Sequence, residues 1–184
     1  MLFNFNVNLS EEDYFKFNKF VMLRSHYGKK QVRQLRILLA VLSLFLMLLL
    51  AFAWDFSFST LIGMIPIAIL TVVLEITISK VLTMLLKWQI NGMKKNGKIT
   101  YTPTSVMEFY DERLVEISED SKTELSYSGI ERVSVVFEDA IYIQINNLMG
   151  YILPFASFET KEQYEKFIDF IKSKVQTVEM YDKK

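Results

Sequence analysis

The sequence predicts a membrane α+β protein: a transmembrane hairpin of two helices, then a cytoplasmic antiparallel β-domain, a partial barrel closed by a C-terminal amphipathic helix. Three observations lead there. Ile37–Trp54 and Phe56–Leu74 are back-to-back stretches of eighteen and nineteen residues without a charge. At a rise of about 1.5 Å per residue each would extend about 27–29 Å, close to the roughly 30 Å hydrocarbon core of a bilayer. Beyond Asn96-Gly97 the apolar period shortens from helical to alternating, and from Tyr164 it becomes helical again. The expected divisions are 1–35, an N-terminal strand and aromatic helix; 36–90, the hairpin with spans of about 37–54 and 56–79 and a helical extension; and 91–184, the β-domain with its helix at 160–176.

Residues 2–9 alternate Phe3, Phe5, Val7 and Leu9 with Asn4, Asn6 and Asn8. A period of two predicts a half-buried strand. Ser10 then stands as an N-cap before Glu11, Glu12 and Asp13, acids that a helix N-terminus favours. The predicted helix, about 11–27, carries Tyr14, Phe15, Phe17 and Phe20 on more than one face, with His26 as a polar residue at its C-terminal end. Such a helix either packs between layers or lies along lipid headgroups with its lysines reaching outward; the packed helix is the preferred reading.

The formal net charge of zero conceals a segregation. Residues 24–98 hold ten Lys/Arg against two acids, and residues 99–184 hold nine against sixteen. Arg24, Lys29, Lys30, Arg33 and Arg36 precede the first span; Lys80, Lys87, Lys94, Lys95 and Lys98 follow the second. The connection Trp54-Asp55-Phe56-Ser57-Phe58 has no basic residue. The positive-inside rule therefore places both termini in the cytoplasm of a multi-pass cell-membrane protein. Arg24, Lys29, Lys30, Arg33, Lys80, Lys87, Lys94 and Lys95 are candidate contacts to anionic lipid, although setting topology alone accounts for them. In a hairpin folded about positions 55 and 56, Arg36 and Glu75 reach equal depth, which predicts an intramembrane ion pair. A proton or ion relay is the alternative, with Ser43, Thr71 and Thr77 as its only further polar candidates. Pro66 predicts a local kink.

Asn91-Gly92 and Asn96-Gly97 read as helix stops. Strands are predicted at Ile99–Tyr110, Leu114–Ser118, Thr123–Tyr127, Arg132–Phe137, Ala140–Asn146 and Tyr151–Phe155, joined by short polar turns as an antiparallel meander. Ile141, Ile143 and Ile145 should face the core, and the N-terminal strand could be a seventh member. Thr160-Lys161-Glu162-Gln163 fits a capping box. Tyr164, Phe167, Ile168, Ile171 and Val175 form one apolar stripe.

The layout, above all Asp111–Val175, resembles the YcxB-like membrane proteins of bacteria. The resemblance rests on Glu11-Glu12-Asp13-Tyr14 before the aromatic helix, on the tight hairpin, and on Leu125-Ser126-Tyr127-Ser128-Gly129-Ile130, where Tyr127 stands in place of a usual tryptophan. Ile141-Tyr142-Ile143 and Ile152-Leu153-Pro154-Phe155-Ala156-Ser157-Phe158 complete it. It implies a pleckstrin-homology-like (PH-like) cytoplasmic domain and brings no catalytic residues.

Enzyme classes find little support. There is no cysteine and a single histidine. No phosphate-cradling glycine loop, nucleophile elbow or metalloprotease motif occurs, and the pairs Glu119-Asp120 and Glu138-Asp139 lack calcium-loop spacing. No cofactor or metal is expected. The acidic soluble part argues against nucleic acid, and residues 1–9 lack the basic start of a signal peptide. The expectation is a non-enzymatic integral inner-membrane protein presenting a small binding module to a protein or lipid headgroup. The alternative is self-immunity against a secreted toxin or bacteriocin. Membrane lipids are the expected partners, with a cytoplasmic protein and self-association left open.

Overall fold

The computed structural model describes residues 1–54, 57–97, 101–147 and 149–182. The expected turn at Asp55 and Phe56, Lys98 and the first residues of the strand expected from Ile99 lie outside them. The chain divides into two compact units, one of Met1–Phe17 with Met93–Lys184, the other of Asn18–Gly92.

Among the described residues, the first unit holds eight strands in two four-stranded sheets. Sheet A has the order β1 (Phe3–Asn8), β2 (Thr104–Phe109), β3 (Arg113–Ile117), β4 (Lys122–Ser126), all antiparallel. The alternation at the N-terminus is what makes β1: Phe5 and Val7 are buried against the core while Asn4, Asn6 and Asn8 stay exposed. Sheet B has the order β7 (Gly150–Pro154), β6 (Ala140–Gln144), β5 (Arg132–Val136), β8 (Val178–Tyr181).

The pure meander expected from the sequence is corrected here. β8 follows the helix α4 (Lys161–Lys174) and pairs parallel with β5, Val133 opposite Val178. A parallel partner needs a crossover connection, and α4 is that crossover. Thr160 caps α4, its hydroxyl accepting from the Gln163 N–H at 3.1 Å, and the Gln163 carboxamide accepts from the Glu159 N–H at 2.9 Å.

One core joins both sheets to α4. The Phe167 ring lies 5.3 Å from Phe3, 5.1 Å from Phe5 and 4.7 Å from Phe109. Val133, Ile143, Leu153 and Ile171 complete the interior at zero exposure. Burying side chains of this size stabilises by about 1.5–3 kcal/mol each. Ile141 and Ile143 face this core as expected, whereas Ile145 is only half-buried. β6 is buried on its second face too, where Tyr142 meets Phe17 at 5.2 Å and Asp139 meets Lys16 at 3.3 Å. Phe17 and Lys16 belong to α1 (Glu11–Leu23), whose first half packs as a helix on sheet B.

The second unit corrects the helix expected over 11–27. α1 ends at Leu23, and α2 (His26–Ala53) begins where the sequence predicts a helix end. Ser25 makes the corner: its hydroxyl accepts from the Gly28 N–H at 3.0 Å and donates to the Val21 carbonyl at 2.6 Å. Gly28 is required by close approach, because a Cβ there would lie 2.2 Å from the Val21 carbonyl oxygen. α3 (Phe58–Lys95) continues through Pro66 and through Asn91-Gly92, so the expected stop at 91–92 is also corrected. Its end comes at Asn96-Gly97, where Gly97 takes a φ of 68° and donates to the Lys94 carbonyl at 3.0 Å.

Candidate functional site

Two polar settings stand out, one in each unit. Within the second unit α2 and α3 run antiparallel, tied by three polar contacts. The Thr60 hydroxyl donates to the Trp54 carbonyl at 3.2 Å. The Thr71 and Ser43 hydroxyls lie 2.8 Å apart, each also 2.8 Å from a carbonyl of its own helix, Ile67 and Leu39. Arg36 Nε lies 3.7 Å from Glu75 Oε2. These contacts bring Arg36 and Glu75 together. The other Glu75 oxygen is buried without a hydrogen-bond partner. Thr77 is turned elsewhere, donating to the Val73 carbonyl of its own helix.

The same antiparallel arrangement sets Lys29, Lys30 and Arg33 of α2 at the end of the hairpin that also holds Lys80 and Lys87 of α3. All five are exposed. Lys95 is exposed in the last turn of α3, and its neighbour Lys94 forms an ion pair with Glu11. The Arg24 guanidinium lies over the Phe20 ring at 5.8 Å. The structure thus gives Lys94 and Arg24 protein contacts alongside any role toward lipid.

The hydrophobic side chains between the charged positions face outward. Only 6% of the most apolar 18-residue stretch of either helix is buried, and both helices are long and apolar enough to cross a membrane. A core helix of a soluble protein is mostly buried, so this exposure separates α2 and α3 from one. Among the described residues, every exposed large hydrophobic other than Met1, Leu2, Phe137, Met149 and Met180 lies between Ile37 and Trp88.

The β-domain holds a setting that sequence reading missed. Sheet A carries three strand glutamates, and strand parity divides them. Glu108 and Glu124 lie on the outer face and have partners: Glu108 accepts from the Tyr110 hydroxyl at 2.7 Å, and Glu124 pairs with Lys122 at 3.1 Å and Arg113 at 3.3 Å. Glu116 lies on the inner face, opposite Met107 and Thr123 and in step with Leu114, which has zero exposure. Burial pushes its carboxyl above the usual range, and the nearby Ser105 hydroxyl opposes the rise. Burial also raises the Tyr151 phenol on β7, helped by the negative charge of Glu116. The alternation Leu114-Val115-Glu116 was the available signal, since an inward Leu114 implies an inward Glu116.

Elsewhere the polar groups of this domain are structural. The buried Tyr127 hydroxyl donates to the Tyr110 carbonyl at 2.8 Å, and burial raises its pKa. Ser134 and Gln144 bond one another at 3.2 Å across sheet B. Among the described residues no group of three or more His, Cys, Asp or Glu side chains could hold a metal ion.

Two long apolar helices joined to a small domain of two sheets and a closing helix define the class of protein. Within that class, residues 109–171 match the family model of the YcxB-like proteins, the family the sequence resembles, and over these residues the chain is similar to that family. No curated protein and no solved structure matches the chain.

Proposed function

We propose that the chain is a non-enzymatic integral inner-membrane protein that crosses the bilayer twice with both termini cytoplasmic. Its PH-like β-domain acts there as a binding module for a protein or lipid-headgroup partner. The observation that carries this reading is the pairing of β1 with β2. Phe3 faces Phe109 and Asn8 faces Thr104 in one sheet, yet α2 and α3 lie between these strands in sequence. Strands hydrogen-bonded to each other share a compartment, so any crossings made by the intervening helices must be even in number. Two apolar helices supply that number. The outward-facing hydrophobics of α2 and α3 support lipid as their solvent, since exposed apolar patches beyond a few hundred Å² are rare on soluble monomers. The basic residues gathered at one end support that end as cytoplasmic. Two four-stranded sheets with a helix in the core agree with a PH-like domain, and the scarcity of titratable clusters favours binding over catalysis.

Reporter fusions test the topology. An enzyme active only in the cytoplasm should work at either terminus, and one active only outside should work when inserted between Trp54 and Phe58. Terminal reporters active on the exterior, or a chain recovered in solution without detergent, would overturn the double crossing. Photo-crosslinking residues at the exposed Phe137 and Met149 positions should give one discrete adduct in cells. Absence of any adduct across the exposed β-domain positions would remove the binding module.

A further inference from the structure

The exposed large hydrophobics of α3 fall into two groups. One runs from Phe58 to Ile76; the other is Met84, Leu85 and Trp88, the last 77% exposed. The corresponding set on α2 starts at Ile37. Arg36 pairs with Glu75, so Ile37 and Ile76 stand within about one turn of the same level and mark one edge of the apolar band. At about 1.5 Å per residue, Met84 lies about 12 Å and Trp88 about 18 Å past that edge along the helix. A headgroup layer is only about 5–8 Å deep on each side, and a tilt of about 40° would still leave Trp88 about 14 Å out. The indole therefore stands beyond the lipid, past even the level of Lys29 and Lys30 near the start of α2.

The opposite side of this segment is covered: Ile78 and Ile90 are buried, and Leu82 and Leu86 are half-buried. In heptad terms Val81 and Trp88 take a positions, Met84 a d position and Leu85 an e position, while Lys80, Lys87 and Lys94 fall at successive g positions. Met84 is four residues from Lys80 and three from Lys87, so the lysines flank the apolar stripe directly. Lys80 and Lys87 are exposed and, among the described residues, enter no ion pair, whereas Lys94 pairs with Glu11. We propose that this face of α3 is a docking surface for an acidic amphipathic helix of a partner protein. The inference goes beyond the β-domain module and rests on the double crossing. The apolar seam of such a helix would cover Met84, Leu85 and Trp88, and its acids would meet Lys80 and Lys87 at the flank. Trp88 supplies the large aromatic anchor that helix-in-groove contacts use. A second copy of this chain fits less well. Two copies inserted alike in one bilayer run parallel, so the Lys80 and Lys87 of each would face Leu85 and Gly92 of the other, with no acid to meet them. A basic helix is repelled by the same two lysines.

The test uses the full chain with Trp54→Phe, which leaves Trp88 as its sole tryptophan. In phosphatidylcholine nanodiscs it is mixed with a synthetic heptad-repeat helix carrying leucine at a and d and glutamate at e and g, or with the lysine counterpart of that helix. The glutamate helix should shift Trp88 emission to the blue and cut its quenching by acrylamide about threefold, because docking encloses the indole. The lysine helix should do neither. Lys80→Glu and Lys87→Glu together should exchange the two preferences. No response to the glutamate helix overturns the surface. An equal response to both helices also overturns it, because apolar contact alone then explains docking. Quenching of Trp88 by headgroup-labelled lipid would assign the face to the bilayer and overturn the proposal. So would a disulfide between copies of the otherwise cysteine-free chain carrying Trp88→Cys, which would assign the face to a second copy. None of these outcomes alters the reporter-fusion result, so the docking surface and the membrane topology fall separately.

Discussion

The hairpin and the β-domain use the same apolar residue types in opposite directions. In the β-domain, Phe109, Leu114, Val133, Ile143 and Phe167 are closed off completely, and polar positions such as Asn4 and Asn6 face outward. In the hairpin, Leu38, Phe45, Leu49, Ile62 and Ile69 are about half exposed or more, while the polar pairs Ser43–Thr71 and Arg36–Glu75 lie between the helices. One region buries hydrocarbon away from water, and the other turns hydrocarbon toward its solvent and ties polar groups together. The inversion extends to the acids. Glu75, in the apolar hairpin, has Arg36, whereas Glu116, on the inner face of a sheet, has no cation partner among the described residues. A carboxyl among apolar neighbours either takes a cationic partner or holds its proton more readily.

Truncating matched positions should break or sharpen this contrast most strongly. Phe167→Ala removes a fully buried ring that meets Phe3, Phe5, Phe109, Phe158 and Phe170 and should cost about 3–5 kcal/mol of β-domain stability. Leu48→Ala, on an outward face, should change stability by no more than about 0.5 kcal/mol. Thermal unfolding of the full chain in detergent, followed by near-ultraviolet circular dichroism, reads both. Similar losses at the two positions would mean that the hairpin face packs on protein.

A smaller effect is expected at the ion pair. Reversing either charge, Arg36→Glu or Glu75→Arg, should lower membrane expression, and the double reversal should restore it. The coupling should be about 1 kcal/mol, since both side chains keep some exposure. Failure of the rescue would make the 3.7 Å approach incidental.

The subtlest effect is a dependence on pH. The Glu116 carboxyl is raised in the folded chain, so the folded state binds its proton more readily than the unfolded state does. Its favourable contribution is complete below the unfolded carboxyl range and fades as pH rises through the folded value. Glu116→Gln should match the native chain in acid and become relatively more stable toward neutrality. Unfolding midpoints measured at several pH values give the slope, and a constant difference between the two chains would contradict the raised carboxyl.

Much of this architecture is legible in the sequence. Uninterrupted apolar length identified α2 and α3, the Phe/Asn alternation identified β1, and Thr160 with Gln163 identified the start of α4. The failures share a physical cause: local signals were outweighed by contacts made elsewhere in the chain. Gly28 after His26-Tyr27 reads locally as a helix end, but it is a glycine because a preceding carbonyl passes close by. Asn91-Gly92 reads as a stop, yet α3 carries on through it. β8 has four residues and little alternation, and it exists because β5 offers an edge for a parallel partner. The candidate lipid-contacting residues were readable as charge, but the Lys94–Glu11 pair was not, because it joins positions 83 residues apart. Glu116 was visible in strand parity, while its neighbours Ser105 and Tyr151 required the register of β2 with β3 and the position of a second sheet.

The pairing of Phe3 with Phe109 also constrains how the molecule is made. A ribosome releases β1 ahead of both greasy helices, which must be extruded before β2 exists to receive it. Sheet B stays open for longer still, because β8 follows β5, β6, β7 and α4. Until β2 emerges, β1 presents Phe3 and Phe5 without their partner strand, a long-range closure of the kind that slows folding and invites association. Chaperones or the insertion machinery would therefore meet β1 while its partner strand is still unmade.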